Sequence, residues 1–437
     1  MDMSARTMAR PGAFGNRPFA RLRHAVFGLV TALAACATPA PKAPDVAAEV
    51  APPPPPPVEE PAEAPTNKVA LLLPVTGGNA RVGQSIANAA NMALLDVGSR
   101  TIKLTVYDTA AGGAAAAAQR AIAAGNRLFL GPLLAGDVAA VRGAARAAGI
   151  PVITYSNDAD VAGDGVYVLG FQPDQAIDRV IRFARSRGIE RFGALVPAGT
   201  YGQRASAAML RAVRDSGGKV TAIETYERSR AKLAAAVRRL TDYEARVARA
   251  SQGGVVRADG TVAPVQQRLG PLSFQALLIA DTGAIASSFL APLQQFGAGP
   301  GQVRYLGPEL WNAEPGIRAA TGLHGAWFAS VPDARFNQLA ARYRARFGGA
   351  PSRLASLGYD SVLLVNAIGS DWSIGAPFPE QRLRDPDGFA GVDGIFRFGA
   401  SGVADRGLEV QQVGPGGTTV VSAAPRTFAR SKVAAIN

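Results

Sequence analysis

Cysteine is almost absent from this chain of 437 residues: Cys36 is the only one. No disulfide can form within the chain, and no thiolate cage can hold a metal. Histidine is nearly as scarce, with only His24 and His324. A Cys/His zinc site is therefore excluded, and a Ser-His-Asp triad would rest on a single ring. Aromatic residues make up 7%, and no run of Lys and Arg is interleaved with them. Nucleic acid is not an expected partner, despite a formal net charge of +13 carried mostly by arginine. No apolar run reaches the ~20 residues of a membrane-spanning helix. GxGxxG is missing too. The one turn that imitates a phosphate loop has Gly78, Gly83 and Ser85 in place, but Gln84 where the lysine should stand. Without that cation the phosphates lose their main partner. No pair of carboxylates is identifiable as an acid–base couple. The chain is expected to be non-catalytic, with no metal and no cofactor.

What is present begins with an address. Arg6, Arg10, Arg17, Arg21 and Arg23 precede an apolar segment, AVFGLVTALAA at 25–35, that ends in small residues, the form of a secretory signal. The signal closes on Leu33-Ala34-Ala35-Cys36. LAAC resembles the bacterial lipobox, in which the cysteine is acylated and becomes the first residue of the mature chain. The resemblance implies lipidation at Cys36 and attachment to a membrane through the N-terminal lipid. Inner-membrane retention uses an aspartate at the next position; Ala37 stands there instead, which implies an outer-membrane lipoprotein on the periplasmic side. Residues 36–67 carry Pro39, Pro41, Pro44, the run 52–57, Pro61 and Pro65. Proline fixes φ and withholds an N–H, so this stretch reads as a disordered stalk of polyproline character. Extended, it would reach on the order of 90 Å.

The remainder is organised around 68–96. VALLL at 69–73 is an unbroken apolar run, the pattern of a strand covered on both faces of a parallel sheet. Pro74 stops it, and Gly77 and Gly78 allow a tight turn. Val82, Ile86, Ala89, Ala90, Ala93, Leu94 and Val97 then fall at helical spacing. The alternation continues with strands at 102–107, 128–130, 151–154 and 167–171 and helices at 114–124 and 138–148. It resumes with strands at 192–196, 220–225, 274–280, 303–306 and 325–331 and helices at 176–187, 206–216, 233–248 and 284–296. Helices at 334–347 and 355–368 follow; the second is apolar nearly all round and so expected to be buried. Closing strands are expected at 391–398 and 408–413. The connection 251–273 is too long for an ordinary helix-to-strand loop and reads as an insertion. Such alternation builds doubly wound bodies whose ligands sit beyond the carboxyl ends of the strands.

In order and spacing, LLLPVTGG with its helix, GPLLAG, GIPVITYSND, VPAGTYGQ, RYLGPELW, SLGYDSVLLVNAI and GVDGIFRF with RGLEVQQV resemble the type 1 periplasmic binding proteins. Within them the pattern is similar to the penicillin-binding protein activators. The resemblance implies an α/β fold of two doubly wound lobes with parallel sheets, joined by a three-crossing hinge. One lobe would take 68–172 and 331–390, the other 173–330 and 391–437. It also implies a function: a non-catalytic envelope lipoprotein that binds and activates a peptidoglycan synthase, a class A penicillin-binding protein. The alternative is the branch of leucine/isoleucine/valine-binding proteins of ABC importers, which hold an amino acid or similar small amphipathic ligand in the inter-lobe cleft. The candidate cleft residues are Gly78 in the first turn, Ala135, Gly136 and Asp137 after the GP motif, and Ser156 and Asn157 at the next rim. On the facing lobe they are Tyr201 to stack, Glu309 to take an ammonium and Trp311 to cover an apolar group. In the importer branch, hydroxyls after the GP motif grip the ligand carboxylate. Leu134 to Asp137 offers none, and Asp137 would repel a carboxylate.

Overall fold

Val69, Ala70, Leu71, Leu72 and Leu73 have no exposed surface in the computed structural model, which describes residues 65–252, 258–261, 269–312, 314 and 316–428. They form β1 (Asn67–Leu73), and the reason for their unbroken apolarity is visible. Val69, Leu71 and Leu73 face one core, while Ala70 and Leu72 face another on the opposite side of the sheet. The signal at 1–35, Cys36 and the proline-rich stretch to 64 lie outside the described residues. So do 253–257 and 262–268 of the expected insertion and the tail from 429 onward. Among the described residues no helix is long and apolar enough to cross a membrane.

After β1 come α1 (Ala80–Val97), β2 (Ile102–Asp108), α2 (Ala114–Ala123), β3 (Leu128–Leu130), α3 (Ala135–Ala147), β4 (Val152–Thr154) and β5 (Val166–Val168). The strands make one sheet in the order β2-β1-β3-β4-β5, all parallel. The small side chains Ala114, Ala117, Ala118 and Ala121 let α2 lie close on one face. The chain then crosses to a second body: α4 (Pro173–Ser186), β6 (Arg191–Pro197), α5 (Thr200–Asp215), β7 (Lys219–Tyr226), α6 (Arg230–Leu240), α7 (Tyr243–Gln252), β8 (Ala276–Ile279), α8 (Gly283–Ser288), α9 (Leu290–Gln295), β9 (Arg304–Gly307) and β10 (Trp327–Ser330). The single helix expected over 233–248 is two, because Asp242 adopts φ +48°, a left-handed conformation that a continuous right-handed helix cannot contain. The helix expected over 284–296 is likewise two. Pro292 has no N–H to give to the turn before it.

A second crossing returns the chain to the first body as α10 (Ala334–Phe347) and α11 (Ala355–Gly369). As its composition predicts, α11 is buried almost all round, packed against α1. The strands expected from 391 differ from the expectation. β11 (Phe389–Gly391), β12 (Gly394–Phe398) and β13 (Ala404–Arg406) form a small antiparallel sheet of their own. Phe396, Phe398 and Ala404 pack into the first lobe's core. The third crossing therefore falls near Gly407, past the 391 suggested by the pattern. It leads to β14 (Glu409–Gly414) and β15 (Gly417–Ser422), which complete the second sheet in the order β15-β14-β10-β9-β8-β6-β7. β14 and β15 are its antiparallel members.

The two lobes repeat one packing device. β1 and β6 each run into a proline, and the helix that follows carries an early glycine. A Cβ on Gly83 would meet the carbonyl oxygen of Pro74, and one on Gly202 that of Pro197. These glycines exist so that a helix can seat on the end of a strand. The imitation of a phosphate loop is explained by this. Gly83 packs, Gln84 donates to the Val75 carbonyl at 2.9 Å, and Ser85 accepts from the Ser352 N–H at 2.8 Å.

Candidate functional site

The carboxyl ends of β1 to β4 make the first rim. Asp108, at the end of β2, ties its loops together: it accepts from Val75 N at 3.1 Å, Ala110 N at 3.0 Å and Thr76 Oγ1 at 2.6 Å. Burial works to raise its pKa, but the hydrogen bonds from Thr76, Ala110 and Val75 prevail and lower it. It serves the backbone. Gly78 is exposed with open space around it, and Ala135 and Gly136 open α3 at the surface. Asp137 sits in the first turn of α3, where the helix dipole favours an anion. Burial raises its carboxyl pKa, and the neighbouring Thr109 hydroxyl opposes this in part. Ser156 is buried, and its Oγ accepts the Asp158 N–H at 3.1 Å, the geometry of a turn-forming serine. Asn157 beside it is exposed.

On the second lobe Tyr201 begins α5. Its hydroxyl is buried without a partner, and burial, followed by the charges of Glu309 and Asp281, raises its pKa. Trp311 has no exposed surface. Its Nε1 donates to the Asp281 carbonyl at 3.0 Å, and its ring occupies the space that a Cβ on Gly307 would take. It packs in the core of the second lobe, beside Phe328. Glu309 follows β9, with Oε2 buried and unpartnered. Burial, with Asp174 adding to it, pushes its carboxyl up to about 7.

A carboxyl that binds its proton more tightly in the folded chain adds stability below its unfolded value near 4.5. That stability is lost as pH rises through the folded value. The protein is expected to lose roughly 1–3 kcal/mol from this group between about pH 5 and pH 8. Glu309→Gln should remove that share of the slope, as read from denaturant midpoints at the two pH values. Equal slopes in both proteins would show the carboxyl to be well solvated.

Sequence reasoning missed three features. Asp281, 1% exposed, is the hub of the second rim. It accepts from Tyr226 Oη at 2.7 Å, from Arg228 Nε at 2.8 Å and from Arg228 Nη2 at 3.2 Å. The signal was there: Asp281 ends the apolar run ALLIA as Asp108 ends its own strand. The second feature is a bridge between lobes. Arg204 on α5 lies 2.7 Å from both Asp158 and Asp160 of the first lobe. The third is a cavity at the crossings, lined by Phe171, Gln172, Glu309, Ser330, Arg353 and Arg406 among others. Of the expected cleft residues only Glu309 lines it; Asp137, Ser156 and Tyr201 are not among its walls. Isolated arginines such as Arg353 and Arg406 carry no sequence signal in a chain so rich in them.

Comparison with known proteins places this geometry. The family model described as periplasmic binding protein matches residues 66–417. An uncharacterized protein of Rickettsia prowazekii is 28% identical over 176 residues, which is 40% of this chain and 47% of that protein. The chain thus spans about half the length of the curated relative it matches. The leucine binding protein LivK of Thermotoga maritima has a TM-score of 0.53 at 19% identity, covering 82% of this chain and 99% of that one. The C-domain of LpoA from Haemophilus influenzae, a regulator of PBP1A, has a TM-score of 0.57 at 19% identity, covering 81% of this chain and 100% of that one. Likeness at such identities establishes the fold and leaves function to the site.

Proposed function

The chain belongs to the periplasmic binding protein family, and we propose that it is a non-catalytic envelope lipoprotein that binds and activates a class A penicillin-binding protein. One observation carries the reading: the segment after the GP motif, 134–137, offers no hydroxyl to grip a carboxylate. Asp137 stands in that segment instead, and the Ser156 hydroxyl accepts the Asp158 N–H within a turn. Two further features agree. Trp311 is sealed in the core, and Arg204 holds the facing rims together through Asp158 and Asp160. A body whose cleft is poorly equipped for an amino acid is better used as a surface. The LAAC sequence at Cys36 supports a lipid anchor, and the prolines that follow support a spacer between membrane and body. Binding that favours the synthase's active conformation would suffice for activation.

The test is a glycan-polymerisation assay with a class A synthase from the same cell. Addition of the protein is expected to raise the rate several-fold, and the two should co-purify. An unchanged rate with no co-purification would remove the proposal. A second reading, a solute receptor for an importer, is favoured only by the buried, unpartnered Tyr201 hydroxyl and Glu309 Oε2. Strong thermal stabilisation by a free amino acid would support it instead.

A further inference from the structure

The second lobe carries a cationic groove at the pole away from the cleft, and the proposed function leaves it unused. Among its walls, Gln275, Arg304 and Trp327 stand at or just before the amino ends of β8, β9 and β10, and Ile189 stands just before β6. These four strands run parallel. The groove therefore lies at the opposite edge of the sheet from the carboxyl-end rim that bears Asp281. Its volume is about 480 Å³, within the range of ligand pockets. Two arginines frame it through one continuous stack. Arg187 lies over the Phe183 ring at 5.0 Å, Phe183 meets Trp327 edge to face at 4.9 Å, and Arg304 lies over Trp327 at 4.5 Å. Such stacking holds a guanidinium plane in place and leaves its edge free to donate. Arg304 spends Nη1 on the Gly325 carbonyl, and neither arginine has an ion pair among the described residues. No Asp or Glu lines the groove. His324 stands on the same wall, its Nε2 donating to the Arg318 carbonyl at 3.0 Å. Gln275 accepts the N–H groups of Glu190 and Arg191 on Oε1, at 2.9 and 3.0 Å, which leaves its amide nitrogen to donate. Gln302 is exposed.

We propose that this groove binds an acidic polysaccharide, with carboxylates of the sugar chain taken by Arg187 and Arg304 and its hydroxyls by Gln275 and Gln302. The walls decide among anionic partners. Phe183, Tyr305 and Trp327 are only 6%, 3% and 9% exposed. No ring face is open for a nucleobase to stack on, and no apolar floor is left for an acyl chain. Side-chain amides, which donate and accept, suit hydroxyls that do the same. Guanidinium forks match the plane of a carboxylate and hold it with charge-assisted bonds. The groove is built wholly from the second lobe, so filling it requires neither a synthase nor a change in lobe arrangement. A body held by this pole keeps its cleft-side rims turned away from the glycan and open to another partner.

The experiment titrates the full chain with oligogalacturonate at ~0.15 M salt, where attraction between distant exposed charges is largely screened. Neutral cello-oligosaccharide, inorganic phosphate and phosphatidylglycerol vesicles serve as comparisons. Saturable binding is expected with oligogalacturonate, and neither the neutral sugar nor phosphate should displace it. Arg187 is exposed, so Arg187→Glu is expected to fold; it should weaken the affinity at least tenfold. Arg120→Glu makes the same charge change at an exposed position on α2 of the first lobe and should leave the affinity nearly unchanged. The imidazole ring of His324 gives a reading that needs no loss of binding. Its NMR signals, identified by their disappearance in His324→Gln, should move with oligogalacturonate and stay in place with the neutral sugar. No binding, equal weakening by both charge changes, displacement by phosphate, preference for the vesicles, or unmoved His324 signals would each overturn the proposal.

Discussion

Asp360→Ala will lower the unfolding free energy of the first lobe by about 3–5 kcal/mol, read from the shift of its denaturant midpoint. The Asp360 side chain has no exposed surface. Its oxygens accept the N–H of Val392 at 2.6 Å and of Asp393 at 3.2 Å, so the turn from β11 to β12 closes on them. Gly391 permits the approach, since a Cβ there would meet the Asp360 carboxyl. Burial and the nearby Asp393 raise the pKa of Asp360, against the two N–H donors and Arg406. Alanine would strand both buried donors and leave Arg406 with one carboxylate fewer. Asp360→Asn keeps an acceptor in the same place and should cost about half as much. A loss below about 1 kcal/mol for alanine would mean that water can replace the carboxylate, and the account of this turn would be wrong.

Cys36→Ala should move the protein almost completely from the membrane pellet to the soluble fraction of the envelope. The cysteine closes an apolar segment of signal type, and among the described residues no helix is long and apolar enough to cross a bilayer. One acyl chain binds membranes only marginally, whereas two or more anchor stably, so loss of the residue proposed to carry the lipid is expected to act as an on–off switch. Detergent extraction followed by fractionation measures it. A Cys36→Ala protein that stays in the pellet through carbonate washing would sink the lipid-anchor reading while leaving the fold untouched.

The sequence showed the fold better than the site because the two depend on different kinds of residue. β1 and α11 announced themselves through apolarity on every side, which only a doubly covered strand or a buried helix can use. The break at Asp242 was hidden, since a positive φ in an Asp leaves no trace in periodicity. β11 to β13 were hidden for another reason. Short antiparallel strands have the same pattern whichever lobe they join, and only the packing of Phe396 and Phe398 beside α11 decides. At the site, Ser156 and Asp137 could be placed by position but not by commitment. That the Ser156 hydroxyl accepts a turn N–H and keeps its own proton to give is decided by one hydrogen bond, which no pattern of residues shows. Trp311 was expected to cover an apolar group in the cleft because the resemblance put it there, yet the glycine at 307 makes room for its ring in the core. Arg204, Arg353 and Arg406 act across distances that no linear pattern encodes.

The last two strands of the second sheet arrive only after the chain has gone back to finish its neighbour. Without Glu409–Gly414, β10 has no partner on one side, and Trp327 and Phe328 lie along an unprotected margin. A polypeptide cut short anywhere before that point would hold a nearly complete first lobe beside a raw edge. The second sheet is thus closed by the far end of the chain, and a product that stops short of it leaves an open strand edge of the kind that pairs with other chains.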